Sequence, residues 1–117
     1  MYMICLVLDT PERLDAVLDA WEEIGITGAT LLESTGMNRR RAQRTHISPR
    51  FGFAPPVMGG QEGNYTLFAV VASEKQVQQC FDRTETVVGD FSDPNTGILT
   101  AWPLTAVRGF TPSAKTQ

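Results

Sequence analysis

A chain of 117 residues with 42% hydrophobic and 20% charged side chains has the size and balance of one globular domain. No stretch approaches the roughly 20 consecutive apolar residues of a membrane-spanning helix, which argues against an integral membrane protein. The net charge of −3 hides an asymmetry: five of the ten cations, Arg39, Arg40, Arg41, Arg44 and Arg50, crowd into one segment, leaving the other five against all thirteen acids. A basic segment is therefore mounted on an acidic body. The N-terminal Met1-Tyr2-Met3-Ile4 lacks the basic start and cleavage site of a secretion signal, so a cytoplasmic protein is expected. Cys5 and Cys80 are then expected as buried free thiols. With His46 the only histidine, the spacing offers no zinc site.

Tyr2 to Leu8 is a continuous apolar run of strand length, suited to a strand buried on both faces. Asp9-Thr10-Pro11 offers a capping side chain and a first-turn proline. Leu14, Val17, Leu18, Trp21 and Ile24 then recur at helical spacing, which predicts a helix over about 11 to 24. Gly25 follows where that period ends and suits the left-handed conformation of a helix C-terminal cap. Gly28 permits a close backbone approach, and a second strand is expected over about 28 to 34, stopped at Thr35-Gly36.

Residues 36 to 63 hold arginines, glycines and prolines without apolar periodicity and read as one long mobile loop, of a length that is usually functional or disordered. A third strand is expected from Asn64 to Ala72. Ser73 with Gln76 forms a capping box for a second helix whose stripe is Val77, Cys80, Phe81 and Thr84. Gly89 to Gly97 is dense in turn formers. Ile98 to Trp102 is the last strand, Pro103 argues against a regular central strand there, and the tail from Thr111 to Gln117 is polar. Core packing is the expected role of Trp21 and also of Trp102, although either indole could stack on a base.

The order strand, helix, strand, strand, helix, strand suits an α+β, ferredoxin-like βαββαβ domain over residues 1 to 110, with an antiparallel sheet and both helices on one face. A first strand apolar on both sides needs cover on the second sheet face. Association of copies would supply it.

The run Glu22-Glu23-Ile24-Gly25-Ile26-Thr27-Gly28-Ala29-Thr30, continuing to Glu33 and Gly36, resembles the nitrogen-regulatory PII proteins. In that family a similar strand leads into a long partner-binding loop. Weaker echoes are Pro11 with Leu14, Gly89-Asp90, and Val107-Arg108. The resemblance implies a homotrimeric signal-transduction protein, not an enzyme and with no obligatory cofactor. It would bind AMP, ADP or ATP in clefts between subunits and control an enzyme or transporter of nitrogen or carbon metabolism through the loop. Carried over by position, Gly28, Ala29, Thr30 and Gly36 line the nucleotide cleft, and Arg108 faces phosphate. Gly89 and Asp90, with Gly97, stand where the family has its phosphate-binding turn. That turn is longer here and lacks the family's lysine, the second family arginine falls at Phe110, and Asn38 replaces a loop glycine. AMP or ADP is thus expected over ATP.

The loop itself admits several readings. Arg39, Arg40, Arg41 and Arg44 could contact an acidic protein surface or phosphates, or could simply be solvated; nucleic acid is disfavoured by the acidic body. Phe51 and Phe53 beside them have the composition of a partner hot spot, or else fold onto a neighbouring subunit. His46 could make the loop sensitive to pH. Asp90 and Asp93 read as solvated turn residues. Enzyme motifs such as G-x-S-x-G or a P-loop lysine are absent from the sequence. The competing functions are a ferredoxin-like trimer that has lost nucleotide binding and takes a metal ion or another small ligand, and a phosphate-handling enzyme.

Overall fold

The computed structural model describes residues 1–34, 64–94 and 96–111. In chain order these form β1 (Tyr2–Leu8), a 3-10 turn (Pro11–Arg13), α1 (Leu14–Glu23), β2 (Thr30–Ser34), β3 (Asn64–Val71), α2 (Glu74–Val88) and β4 (Gly97–Pro103). The four strands make one antiparallel sheet in the order β2-β3-β1-β4. This α+β arrangement of four strands and two helices is compatible with a ferredoxin-like fold.

Register decides what each face of the sheet carries. Ile4 pairs with Ala69 and Ala101, and Leu6 with Leu67 and Leu99, so these side chains share one face. Ile4, Leu6, Leu8, Leu67, Ala69 and Val71 are buried there together with Val17 and Trp21 of α1 and Val77 and Cys80 of α2. Both helices thus cover the same side. The other side carries Met3, Cys5 and Val7 of β1, half-buried, with Leu32, Ile98 and Trp102 respectively 51%, 61% and 43% exposed.

Three expectations need correction on this point. The run Tyr2 to Leu8 is fully buried on one face only, because nothing among the described residues of a single chain covers the second. Trp102, paired with Met3 on that second face, is not a core residue. Cys5 is free but only half-buried for the same reason, whereas Cys80 is buried and free.

Helix boundaries follow local chemistry. Pro11 opens a 3-10 turn before the α-helix proper, and no side chain caps it, so the cap expected from Asp9 and Thr10 does not form. At the other end Gly25 takes φ +95°, the Gly25 N–H donates to the Glu22 carbonyl (3.0 Å), and the Ile26 N–H to that of Trp21 (2.9 Å). This pair of bonds is the Schellman motif. Ser73 caps α2 by accepting from the Gln76 N–H at 3.2 Å. Pro103 is accommodated because β4 is an edge strand, where one missing donor is tolerated.

One buried polar chain joins the helices. The Trp21 indole Nε1–H donates to Thr84 Oγ1 at 2.8 Å, and that hydroxyl donates to the Cys80 carbonyl at 2.6 Å. Outside the core, Arg83 and Glu23 form an exposed ion pair, a minor contribution to stability. Thr84→Val removes the acceptor and leaves the indole donor buried without one, so unfolding in urea should show a loss of about 1–3 kcal/mol. In a Trp21→Phe background the same change should cost much less.

Burial pushes the Cys80 thiol up to about 12 from its ordinary 9.0. The folded chain therefore keeps this proton where the unfolded chain has lost it. Stability should be intact below pH 9 and fall as the pH rises from there toward 12. Denaturation midpoints at pH 8 and pH 10 should diverge more in the wild type than in Cys80→Ala.

Candidate ligand cleft

The Schellman turn at Gly25 aims the chain from α1 back toward the sheet, and Gln76 holds it there. The Gln76 Nε2 donates to the Ile24 carbonyl at 3.3 Å, while its Oε1 accepts from the Ala72 N–H at 3.1 Å. One buried amide thus ties the α1–β2 turn to the start of α2. After β4, the Leu104 N–H donates to the Met1 carbonyl at 2.9 Å, and the C-terminal segment continues past this end of the sheet.

Between these pieces lies a cleft of about 330 Å³. Its walls are residues 25 to 28 of the turn, Val70 of β3, Gln76 of α2, and Val107 to Thr111 of the C-terminal segment. Gly28 and Arg108, far apart in sequence, meet here. Ile26, Val70, Val107 and Phe110 give apolar surface, Thr27 and Thr111 give hydroxyls, and among the described lining residues Arg108 is the one with a charged side chain. Arg108 is exposed, and it makes no hydrogen bond or ion pair with any other described residue.

Gly28 was expected to permit a close backbone approach. Instead, a Cβ built there would meet nothing within 4 Å in the single chain, so the open side of this glycine is free for a ligand or a second copy. Ala29 lines a separate cavity of about 240 Å³ with Leu18, Asp19, Trp21, Glu22, Ile26 and Thr27. Thr30 opens β2 opposite Phe68 and is exposed.

The remaining described candidates lie elsewhere. Gly89 ends α2 with φ +103°. Asp90 Oδ1 accepts the Ser92 N–H at 2.8 Å, which holds its carboxyl below the ordinary value. The Thr96 hydroxyl donates to the Asp90 carbonyl at 3.0 Å and closes the turn onto Gly97. Gly97 has φ +124°, and a Cβ there would fall 2.1 Å from the Val7 carbonyl oxygen, so only glycine fits. Gly97 pairs with Leu8, whereas Val70 of the cleft pairs with Met3. Five residue steps along β1, from Leu8 to Met3, separate the two, about 17 Å. One chain therefore does not bring Gly89, Asp90 and Gly97 to Gly28 and Arg108.

Asp90 and Asp93 are exposed turn residues, and no group of three or more His, Cys, Asp or Glu among the described residues is placed to hold a metal ion. Gly36, Asn38, Arg39, Arg40, Arg41, Arg44, His46, Arg50, Phe51 and Phe53 lie outside the described residues, as does the tail beyond Thr111. No described helix is long and apolar enough to cross a membrane.

Sequence reasoning missed Val70, Gln76 and Thr111 as cleft residues, and met Val107 and Phe110 only through the resemblance, Phe110 as the position of the second family arginine. Gln76 was legible as a capping residue, but its second role depends on the tertiary position of Ile24. Val70 alternates out of the core in β3, a pattern visible in the sequence without saying what it faces. Comparison with protein-family models and with curated proteins finds no match.

Proposed function

We propose that this chain is a PII-like regulatory protein that binds an adenine nucleotide or another small anion and signals its occupancy to a partner protein. The observation that carries the reading is the meeting of Gly28 and Arg108 in one cleft, with an otherwise unengaged guanidinium on its wall. A planar guanidinium fork is suited to a phosphate. The signal would pass to residues 36 to 63 by a population shift, the ligand favouring one arrangement that the partner reads. Catalysis is not part of this reading, and the compartment is the cytoplasm.

Assembly belongs to the same proposal. The open sheet face with Leu32, Ile98 and Trp102 favours burial against another copy, since contiguous exposed apolar surface is unfavourable in water. The separation of the two sets of candidate residues points the same way. A site drawing on both the Arg108 end and the Gly97 end needs them from different subunits, and a trimer is the proposed state. The second reading, a small-ligand protein without nucleotide binding, is favoured by Asp90 and Asp93 in the turn, which oppose a phosphate.

Calorimetric titration of AMP, ADP and ATP should show saturable binding near one ligand per subunit. Arg108→Gln should weaken it at least about tenfold by removing one charge-assisted contact. A trimer that takes none of the three nucleotides would leave only the second reading. For assembly, Ile98→Glu puts a charge on the sheet face of the proposed interface, and light scattering should then give the mass of a monomer.

A further inference from the structure

Burial of the open sheet face against another copy accounts for one side of β2 and leaves the other. Leu32 pairs with Thr66 and stands on the open face, whereas Leu31 pairs with the fully buried Leu67 and stands on the side of the helices. Leu31 is nonetheless 41% exposed, so among the described residues neither helix covers this border of the sheet. A face-to-face contact would cover Leu32 and not Leu31. A strand added beside β2 in the plane of the sheet would lie next to both.

The edges themselves are unprotected. β2 and β4 are the outer strands, and no described strand pairs with their free sides. Soluble proteins commonly guard such edges with lysine, proline or a bulge. β4 reads Gly-Ile-Leu-Thr-Ala-Trp-Pro, with no charged side chain and its proline at the last position, and β2 has only Glu33. None of the residues that register places on the open face is charged, although charged residues are 20% of the chain. Depletion of charge marks the core of an interface.

Strand direction names the partner edge. β1 runs antiparallel to β3 and β4, and β2 antiparallel to β3, so direction alternates across the whole sheet and the two edge strands run in opposite senses. A copy turned about an axis parallel to the strands keeps its directions. Its β2, set beside β4, continues the alternation as an antiparallel pair. Such a contact is heterologous: it uses both edges of every chain and makes a ring where the rotation closes.

We propose that copies of this chain join edge to edge, with β2 of one beside β4 of the next, in a sheet that continues across subunits. Main-chain hydrogen bonds hold the two edges together. Directly opposed residues share a face, so Leu31 meets Leu99 or Ala101 of the next copy, and Leu32 meets Ile98, Thr100 or Trp102. This inference rests on the assembly reading, is independent of nucleotide binding, and adds the surface and the strand that fits it.

Disulfide cross-linking of the full chain is the test. In a Cys5→Ala background, a tagged chain carries Leu32→Cys and is co-expressed with an untagged chain carrying Ile98→Cys, Thr100→Cys or Trp102→Cys. All four positions are exposed in the single chain. Open-face positions of β4 repeat about every 7 Å, so one of the three comes within reach of the β2 thiol. Oxidation should give a covalent dimer of tagged and untagged chains in at least one mixture, and none from any variant alone. Leu31→Asp should lower the light-scattering mass to that of a monomer, although Leu31 is not on the open face. Circular dichroism on each variant separates lost assembly from lost fold.

An oligomer without the mixed cross-link, a single-cysteine variant that cross-links to itself, or the wild-type mass for Leu31→Asp overturns edge pairing and leaves face-to-face assembly standing. A monomeric wild type overturns the assembly reading as well, the edges then being covered within the chain or by another protein.

Discussion

Everything described here hangs on the two hydrogen-bond ladders of β1. Tyr2 to Leu8 pairs along its whole length with β3 on one side and β4 on the other, so one strand fixes the register of both neighbours. A slip of one residue would turn Ile4, Leu6 and Leu8 out of the core and Met3, Cys5 and Val7 into it. That register also sets functional distances. It puts Gly97 beside Leu8 at one end and Val70 beside Met3 at the other, which is why the candidate residues fall into two groups.

The walls of the cleft are held by local devices rather than by extensive packing. Gly25 reverses the chain after α1, and the buried Gln76 amide secures the turn by one bond to Ile24 and another to Ala72. Trp21 and Thr84 lock α1 to α2 behind it. These few polar bonds are effective because they are buried or partly buried, where an unmade bond costs more than a made one gains. The C-terminal segment is different. Among the described residues it is tied to the sheet by the bond from Leu104 to Met1, and in the stretch carrying Arg108 and Phe110 both Arg108 and Gly109 are exposed. The two walls of the cleft therefore differ in how they are anchored, one by side-chain hydrogen bonds and the other by a backbone bond.

What the sequence made legible follows from how local each signal is. The order of elements, the cap at Gly25, the Ser73 cap and the helix stripe through Val77, Cys80 and Thr84 depend on neighbours within a turn or two, and they were readable. The hydrogen bond from Trp21 to Thr84, the reach of Gln76 to Ile24 and the cleft role of Val70 depend on tertiary contacts, and no spacing announces them. The apolar run of β1 was read as buried on both faces because hydrophobicity reports a tendency to be covered without saying by what. In one chain Val7 and its neighbours on that side are half-buried, and Trp102 and Ile98 are exposed. For the site, the resemblance of residues 22 to 37 and of Val107-Arg108 supplied Gly28 and Arg108, and the structure places these two in one cleft. It separates them from Gly97, a division that a list of positions does not contain.

That division gives the proposed regulator its logic. If a ligand is to touch both Arg108 and the Gly97 turn, its binding must span two chains, and its free energy then contributes to assembly as well as to occupancy. Linkage makes the relation reciprocal: whatever strengthens the sheet-face contact strengthens ligand binding, and the reverse. β4 carries Ile98 and Trp102 of the open face between the two groups of candidate residues.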